Sequence, residues 1–350
     1  MMAVSQQRST VTLADKVAFL SRPDTYPETS KVEALETHMS WVFLTDRDVY
    51  KLKKPVRYDF LDFRTLEARQ RFAEEEVRIN KRLAADVYQG TVPLTRDKSG
   101  SLALDGRGEV VDWLIKMKRL PREFMLDTVI AENKVVEEPI RKTAEFLADF
   151  YFTSPPVYPE SREFRANLAE DIRRNSRDLL YEEFGLSAAF ISDIANDLLN
   201  FLDVHNEVFA TRIAEGRVID AHGDLRPEHV CVLPEPAIID RLEFDPALRV
   251  MDVAEELSFL AMECEVKDSS SVGELFFEVY REKTADEIPS DLISFYKAKR
   301  ALLRARLSLN HLLDENYRTD QDKWRSRGNN YLSAARRYCD ALHKNGHAKS

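Results

Sequence analysis

Acidic and basic side chains occur in an order that suits phosphoryl transfer. A strand-like segment with Lys51 and Lys53 precedes a helix-like segment with Glu76. Two aspartates, Asp224 and Asp240, lie much further along the chain. Phosphoryl transfer uses a lysine to hold the phosphates and a glutamate to orient it, with one aspartate beside the attacking hydroxyl and another for a divalent cation. The set therefore predicts a phosphate-transfer site built from distant parts of the sequence.

The stretch HGDLRPEHV, residues 222–230, looks like the catalytic loop of a phosphotransferase. Such a loop needs a base, here Asp224, and a metal ligand five residues later. That ligand is normally Asn, but here it is His229. A neutral imidazole suits Mn²⁺, Fe²⁺ or Zn²⁺ better than Mg²⁺, which prefers oxygen, and Glu228 next door is able to supply an oxygen. We interpret His229 as an altered metal ligand.

Composition predicts a soluble globular protein. The 350 residues include 61 acidic and 51 basic side chains, with a net charge of −10. This charge argues against general binding to nucleic acid, whose affinity comes from neutralised phosphates. The sequence has three scattered cysteines, no signal-like start and no long apolar run. These features predict a cytoplasmic protein with no membrane partner.

Hydrophobic periodicity divides the expected elements into a strand-rich part and a helical part. Residues 1–10 are expected to be disordered, residues 11–119 to form a nucleotide-binding lobe, and residues 120–345 to form a helical lobe with the catalytic loop and substrate site. Helices are predicted over 12–21 and 65–88, and strands over 31–37, 38–45, 49–56, 91–95 and 109–121. Short strands over 218–250 interrupt the second, mainly helical part.

These features resemble the protein-kinase-like superfamily, in its aminoglycoside phosphotransferase and choline kinase branch. The resemblance rests on HGDLRPEHV and on AIIDRLEFDPALRVMDVAEELSFL, residues 237–260. The segment ETHMSWVFLTDRDVYKLKKPVRYDFLDF, residues 36–63, resembles a bacterial subfamily that is often fused to a P-loop ATPase domain. No G-x-x-x-x-G-K-[ST] motif occurs in the sequence. The chain therefore resembles the kinase-like unit alone, and a separate P-loop ATPase is an expected type of partner.

The resemblance implies a bilobal protein-kinase-like fold of the α+β class. A small N-terminal lobe would hold an antiparallel sheet and one long helix, and a larger C-terminal lobe would be mainly helical. The implied activity is ATP-dependent transfer of the γ-phosphate to a hydroxyl of a small-molecule acceptor, with ATP and Mg²⁺ or Mn²⁺ as cofactors. Asp224 matches the catalytic base, and Asp240 and His229 match the metal ligands.

Further roles follow from the same resemblance. Glu76 matches the partner of the phosphate lysine, and the choice between Lys51 and Lys53 stays open because both lie on one face of the strand. Asp252 and His222 match residues that brace the catalytic loop.

Two segments are expected to contact the nucleotide. A Gly-rich phosphate loop is missing, so the turn from Thr37 to Ser40 is expected to cover the phosphates with its backbone N–H groups and hydroxyls. The segment KMKRLP, residues 116–121, matches the hinge that meets adenine, with Met117 and Arg119 as its candidate contacts.

The acceptor is left open by the sequence. Glu243, Asp245 and Glu263 would attract an amine-bearing acceptor, although a solvated acidic surface explains them equally well.

His229 and the missing Gly-rich loop also motivate a rival hypothesis, a nucleotide-binding module without turnover. A third hypothesis keeps the fold but transfers AMP instead of phosphate.

Overall fold

The structure of the protein, a computed structural model, describes residues 11–58, 61–313 and 320–347. The tail expected to be disordered, residues 1–10, lies outside them. Contacts divide the chain into two compact units. The first contains residues up to Arg122 together with Ala237–Asp245, and the second contains Glu123–Pro236 together with residues from Pro246 onward. The segment that carries Asp240 thus joins the first unit, whereas the expected boundary at residues 119/120 stays a prediction.

The helices and strands alternate early in the chain and are mainly helices after residue 122. In chain order they are α1 (Leu13–Leu20), β1 (Glu33–Glu36), β2 (Ser40–Leu44), β3 (Asp48–Lys53), β4 (Arg57–Tyr58), β5 (Leu61–Asp62), α2 (Leu66–Asn80), β6 (Tyr88–Arg96), β7 (Leu102–Leu104), β8 (Glu109–Lys118), α3 (Leu126–Ala131), α4 (Glu137–Thr153), α5 (Ser161–Asp178), α6 (Ala188–Val204), α7 (Asn206–Ala214), β9 (Val218–Asp220), β10 (Val230–Cys231), β11 (Ala237–Ile238), β12 (Val250–Asp252), α8 (Val253–Glu265), α9 (Ser270–Thr284), α10 (Ser290–Asn310) and α11 (Gln321–His347).

The first unit is built on a six-stranded antiparallel sheet in the order β1-β2-β3-β8-β6-β7. Strand β3 lies inside this sheet, where Lys51 is paired with Val42 of β2 and Ile115 of β8. Successive side chains of a strand point to opposite faces. Tyr50 and Leu52 accordingly enter one apolar core, and the lysines of β3 point to the other face.

Helix α2 begins as the sequence predicts but ends earlier. The Thr65 hydroxyl accepts a hydrogen bond from the backbone of Ala68, which caps the first turn. The prediction of a helix to residue 88 is wrong, because α2 ends at Asn80 and a strand begins at Tyr88. The Asn80 side-chain oxygen accepts a hydrogen bond from the backbone N–H of Arg241 at 2.8 Å. The end of the helix is therefore used to hold the segment that carries Asp240.

The second unit is mainly helical, as expected. Its core comes from apolar faces of its helices, including Phe201, Phe209, Phe295 and Tyr296, all at most 4% exposed. Strands β9 and β12 pair antiparallel; β9 comes just before the loop 222–230, and β12 comes just before α8. Within the described residues, no helix is long and apolar enough to cross a membrane. The mixed architecture, an antiparallel sheet in the first unit and helices in the second, confirms the predicted α+β class.

Candidate functional site

Lys51 is held between two carboxylates in the first unit. Its Nζ lies 2.9 Å from Glu76 Oε1 and 2.9 Å from Asp240 Oδ1. Glu76 lies on α2 and its side chain is fully buried, whereas 46% of the Asp240 side chain is exposed. Strand β3, helix α2 and the segment after β11 therefore bring together three residues that the sequence placed in one site.

Lys53 shares the Glu76 carboxylate but has a different environment. Its Nζ lies 2.6 Å from Glu76 Oε2, and it also bonds to Glu243. The Phe63 ring lies 5.0 Å from this ammonium group. Only 1% of the Lys53 side chain is exposed, against 17% for Lys51. Of the two candidates, Lys51 is the one whose ammonium group has access to an external anion.

The carboxylates around these lysines have opposite pKa shifts. Burial disfavours the charged form of Glu76, but Lys51 and Lys53 outweigh it and lower the Glu76 pKa. Burial raises the pKa of Glu243 to about 7, against the effect of Lys53 and with a further increase from Glu76. Burial also opposes the charged form of Lys51, but Asp240 and Glu76 raise its pKa well above 10.5. Lys51 is therefore a permanent cation at neutral pH.

The substitution Glu243→Gln should flatten the pH dependence of stability. The raised pKa means that the Glu243 carboxyl stabilises the folded state most below pH 4.5, and that this contribution is lost as the pH rises through about 7. The free energy of unfolding, measured in urea at several pH values from 4.5 to 7, should decrease less with rising pH in the variant than in the wild type. The exposed Glu67 of α2 provides the control Glu67→Gln. An unchanged slope in Glu243→Gln would mean that Glu243 is ionised across this range.

Asp240 has an unusual backbone conformation that fixes its side chain. Its φ is 64°, in the left-handed region that non-glycine residues rarely occupy. Its N–H donates to the Tyr88 hydroxyl at 3.1 Å, and the N–H of Ile238 donates to the Leu83 carbonyl at 3.0 Å. Such strain persists where neighbouring contacts over-determine it, often at functional sites. An exposed carboxylate held in this way is a donor type that fits a hard cation such as Mg²⁺.

The loop 222–230 in the second unit, which the sequence predicts to be the catalytic loop, is braced by a buried glutamate. Glu256 of α8 accepts hydrogen bonds from the N–H groups of His222 at 3.1 Å and Gly223 at 2.7 Å, and from the Tyr151 hydroxyl at 2.8 Å. Gly223 has a φ of 93°, which other residues rarely adopt. The His222 ring also accepts from the Asp224 N–H at 3.3 Å. His222 thus braces the loop, as the resemblance implies.

Asp252 has a different task from the one expected. Its carboxylate caps α8 through the N–H of Ala254 at 2.9 Å and binds Arg212 at 2.7 Å. The prediction that Asp252 braces the catalytic loop is therefore wrong, because Glu256, one helical turn later, makes the contacts to the loop backbone.

Replacing Glu256 by glutamine should weaken both the fold and the loop. An amide has one acceptor oxygen in place of two, so at least one donor at this buried position loses its partner. We expect the free energy of unfolding to fall by about 2 kcal/mol, measured in urea. The exposed Glu145 of α4 offers the matched control Glu145→Gln. Equal stability of Glu256→Gln and the control would contradict this role.

Asp224 is surrounded by side chains of its own loop. Arg226 donates to the Asp224 carboxylate from Nε at 3.0 Å, its Nη2 lies 2.8 Å from the same oxygen, and it also binds Glu228. Burial raises the pKa of Asp224, but Arg226, then His229 and Arg304, outweigh it and lower that pKa. Asp224 is 27% exposed and stays ionised at neutral pH. It is thus a charged, partly accessible acceptor of hydrogen bonds.

The His229 ring contacts other residues of its own loop. Its Nδ1 lies 2.8 Å from the Asp224 backbone carbonyl, and its Nε2 lies 3.2 Å from Arg226 Nη2. In the part of the chain that the structure describes, no group of three or more His, Cys, Asp or Glu side chains is arranged to hold a metal ion. Metal binding by His229 stays a prediction.

The expected phosphate turn is closed by its own hydrogen bonds. The Thr37 hydroxyl donates to the Ser40 carbonyl at 2.9 Å and accepts from the Ser40 N–H at 3.0 Å. Ser40 is only 2% exposed. These contacts shape the turn between β1 and β2, and a contact of either residue with phosphate stays a prediction.

The two hinge candidates differ in their surroundings. Met117 is half-buried on β8, where it pairs with Val49 and Tyr88. Arg119 donates from Nη1 to the Thr45 carbonyl at 2.6 Å, so its guanidinium group braces the turn between β2 and β3. Adenine contacts at these residues stay predictions.

The acidic residues assigned to an amine-bearing acceptor are mostly engaged elsewhere. Glu243 is 4% exposed and bound to Lys53. Glu263 is 1% exposed and accepts from Arg304 at 2.7 Å and Tyr331 at 2.9 Å. The interpretation of Glu243 and Glu263 as groups that face an acceptor is therefore wrong, and Asp245 remains half-buried.

Sequence reasoning missed several residues that shape the site. They are Asn80, Tyr88, Arg226 and Glu256. Arg226 stands inside the quoted motif, two residues after the candidate base, and its charge was the available signal. The others become visible only through backbone contacts that join distant segments.

Comparison with known protein sequences finds relatives that are themselves uncharacterized. No family model matches the chain. Uncharacterized proteins of Mycobacterium tuberculosis and Mycobacterium bovis are 33% identical to it over 296 residues, which make up 81% of this chain and 56% of each relative. The chain thus spans about half the length of the curated relatives it matches.

Solved structures with a similar fold are small-molecule kinases. Choline kinase from Cryptosporidium parvum has a TM-score of 0.53 at 11% identity, over 90% of both chains. The GDP complex of aminoglycoside 2'-phosphotransferase-IIIa has a TM-score of 0.51 at 15% identity, over 92% of this chain and 97% of that one. Glucosamine kinase with glucosamine, ADP and inorganic phosphate has a TM-score of 0.50 at 12% identity, over 98% and 89%. The chain has the fold of these kinases, which confirms at that level the resemblance seen in the sequence.

Proposed function

We propose that the chain is an ATP-dependent phosphotransferase that transfers the γ-phosphate to a hydroxyl of a small-molecule acceptor. The observation that carries this proposal is the position of Lys51, with its Nζ 2.9 Å from both Glu76 and Asp240. A buried glutamate orients the lysine, and a half-exposed aspartate lies beside it. This is the arrangement that binding and aligning a triphosphate requires.

Lys51 would bind the nucleotide phosphates, and Lys53 would hold the site together. The Lys51 ammonium group is permanently charged and partly accessible. Lys53 is enclosed by Glu76, Glu243 and an aromatic ring, so it has no room for an external anion. Glu76 joins the two lysines and prevents Lys51 from turning away.

Asp240 would hold the divalent cation, either Mg²⁺ or Mn²⁺. When bound, that cation neutralises charge on the triphosphate. The Asp240 carboxylate would then share its charge between the cation and Lys51, which lies 2.9 Å away. The strained backbone at Asp240 and the Tyr88 hydroxyl keep the carboxylate in place before the nucleotide arrives.

Asp224 would orient the acceptor hydroxyl and accept its proton. Its lowered pKa makes it a weak base in the ground state. This suits a loose transition state, in which the hydroxyl gains acidity only late and catalysis depends on positioning. Glu256 would contribute indirectly, by fixing the backbone of the loop. An amine on the acceptor stays a prediction without support from Glu243 or Glu263.

ATP labelled at either the γ- or the α-phosphate tests the proposal. The protein would be incubated with ATP, Mg²⁺ or Mn²⁺ and a mixture of hydroxylated metabolites. We expect γ-label on an organic product and release of ADP. The α-label on a product would support AMP transfer instead. Binding of ATP without transfer of either label would support a nucleotide-binding module without turnover.

A further inference from the structure

The guanidinium group of Arg226 occupies the centre of the catalytic loop. Its Nε donates to Asp224 Oδ2 at 3.0 Å, its Nη2 lies 2.8 Å from the same carboxylate oxygen, and its Nη1 binds Glu228. Nη2 also lies 3.2 Å from His229 Nε2. Four contacts within six consecutive residues thus converge on one cation. Only 17% of the Arg226 side chain is exposed.

The hydrogen bonds of His229 define its tautomer. The Asp224 backbone carbonyl, 2.8 Å from Nδ1, is able only to accept, so Nδ1 carries the proton. Arg226 is able only to donate, so the lone pair of Nε2 faces its guanidinium group. A histidine whose Nδ1–H is held by a carbonyl is ready to bind a metal through Nε2. In this structure Nε2 faces Arg226 instead.

The groups around Arg226 are those that a divalent cation uses. Two carboxylates and one imidazole lie around the guanidinium group, and groups of these types bind Mn²⁺ or Zn²⁺, although in the described residues they are not arranged to hold a metal ion. A guanidinium group cannot be deprotonated at physiological pH, so it is a permanent positive charge in this position. A second cation at His229 would have to displace it. The loop therefore does not fit a metal ion while Arg226 is in place.

We propose that Arg226 replaces the metal ion at the second ligand position of the catalytic loop, so that the loop binds no divalent cation of its own. This inference rests on the proposed function. Arg226 would supply positive charge to the transferred phosphoryl group while its N–H groups hold Asp224, Glu228 and His229 in place. Asp240 would remain the single metal ligand among the assigned residues. His229 would act as a positioning residue that holds Arg226 and the Asp224 backbone.

Binding of Mn²⁺ tests this inference without any need for turnover. Electron paramagnetic resonance would count Mn²⁺ bound to the full chain with a non-hydrolysable ATP analogue. We expect one Mn²⁺ per chain in the wild type and in His229→Ala. Arg226→Ala should gain a second Mn²⁺, which the double variant Arg226→Ala/His229→Ala should lose. Arg174→Ala, at an exposed ion pair on α5, is the control and should behave as the wild type.

Two Mn²⁺ ions in the wild type, one of them lost in His229→Ala, would overturn the inference. So would failure of the Arg226 variant to gain a Mn²⁺. If Arg226→Ala does not fold by circular dichroism, Arg226→Gln removes the charge at similar length and is judged by the same count.

In transfer assays Arg226→Lys should retain more activity than Arg226→Gln, because it keeps the charge. A chain that gives the expected Mn²⁺ counts but transfers no phosphate would refute the proposed function and leave the metal replacement intact.

Discussion

The Asp224→Asn variant is expected to transfer phosphate about 10²–10⁴-fold more slowly than the wild type. The affinity for ATP should stay unchanged, because Lys51, Glu76 and Asp240 are intact. Asparagine has nearly the same shape and still accepts a hydrogen bond from Arg226, but it cannot take the proton of the acceptor hydroxyl. Steady-state rates and the dissociation constant for ATP would be measured separately.

A matched control and a pH profile sharpen this prediction. Asp203→Asn, at an exposed position of α6, should leave the rate unchanged. The pKa of Asp224 is lowered because Arg226, His229 and Arg304 outweigh the effect of burial. The rate should therefore show no loss from protonation of Asp224 between about pH 6 and 8. A near-wild-type rate in Asp224→Asn would remove this residue from the base role.

The two lysines of β3 should respond in opposite ways to replacement by methionine. Lys53→Met leaves the buried Glu243 carboxyl without its cation, and at pH 8, above the Glu243 pKa of about 7, we expect a loss of about 3–5 kcal/mol in the free energy of unfolding. Lys51→Met leaves Lys53 paired with both Glu76 and Glu243 and leaves a half-exposed Asp240, so its stability should fall less. Its affinity for ATP should fall strongly, because the phosphates lose their cation.

Urea unfolding and equilibrium binding of ATP would measure both effects. Lys54→Met is a matched control on the adjacent residue, since its partner Glu36 is exposed and such pairs contribute about 0–1 kcal/mol. If Lys51→Met unfolds most easily and Lys53→Met loses ATP, the assignment of the two lysines is reversed.

The sequence identifies this pair of lysines but cannot separate their roles. Residues i and i+2 share a face of a strand, so periodicity treats Lys51 and Lys53 alike. The difference comes from Glu243 and Phe63, which surround one lysine and leave the other partly open. These partners lie far along the chain or in a loop, where periodicity carries no information about contact.

The end of α2 shows a similar limit. The helical pattern continues past Asn80, but the Asn80 side chain binds the backbone of Arg241 and the helix ends there. A tertiary contact outweighs the local propensity. Five of the six strands of the sheet, in contrast, overlap predicted strands, because β-branched and aromatic residues alternate there with polar ones, whereas the short strand β7 was not predicted.

The loop 222–230 was recognisable in the sequence as a motif, but its internal contacts were not predictable from the sequence. Position alone predicted His229 as a ligand, whereas the orientation of its ring toward Arg226 depends on the path of the backbone. Asp252 and Glu256 are both acidic and one turn apart, and only the fold shows which one reaches the loop.

The most direct test of the account is the fate of γ-labelled phosphate in four proteins: the wild type, Asp224→Asn, Asp240→Asn and the double variant. Each would be incubated with ATP, Mg²⁺ or Mn²⁺ and hydroxylated metabolites. We expect label on an organic hydroxyl in the wild type and a severe loss of label in each single variant. The double variant should be little slower than the slower single one, because residues that act in one step are not additive. No transfer by the wild type, or transfer at the wild-type rate by either single variant, would contradict this expectation.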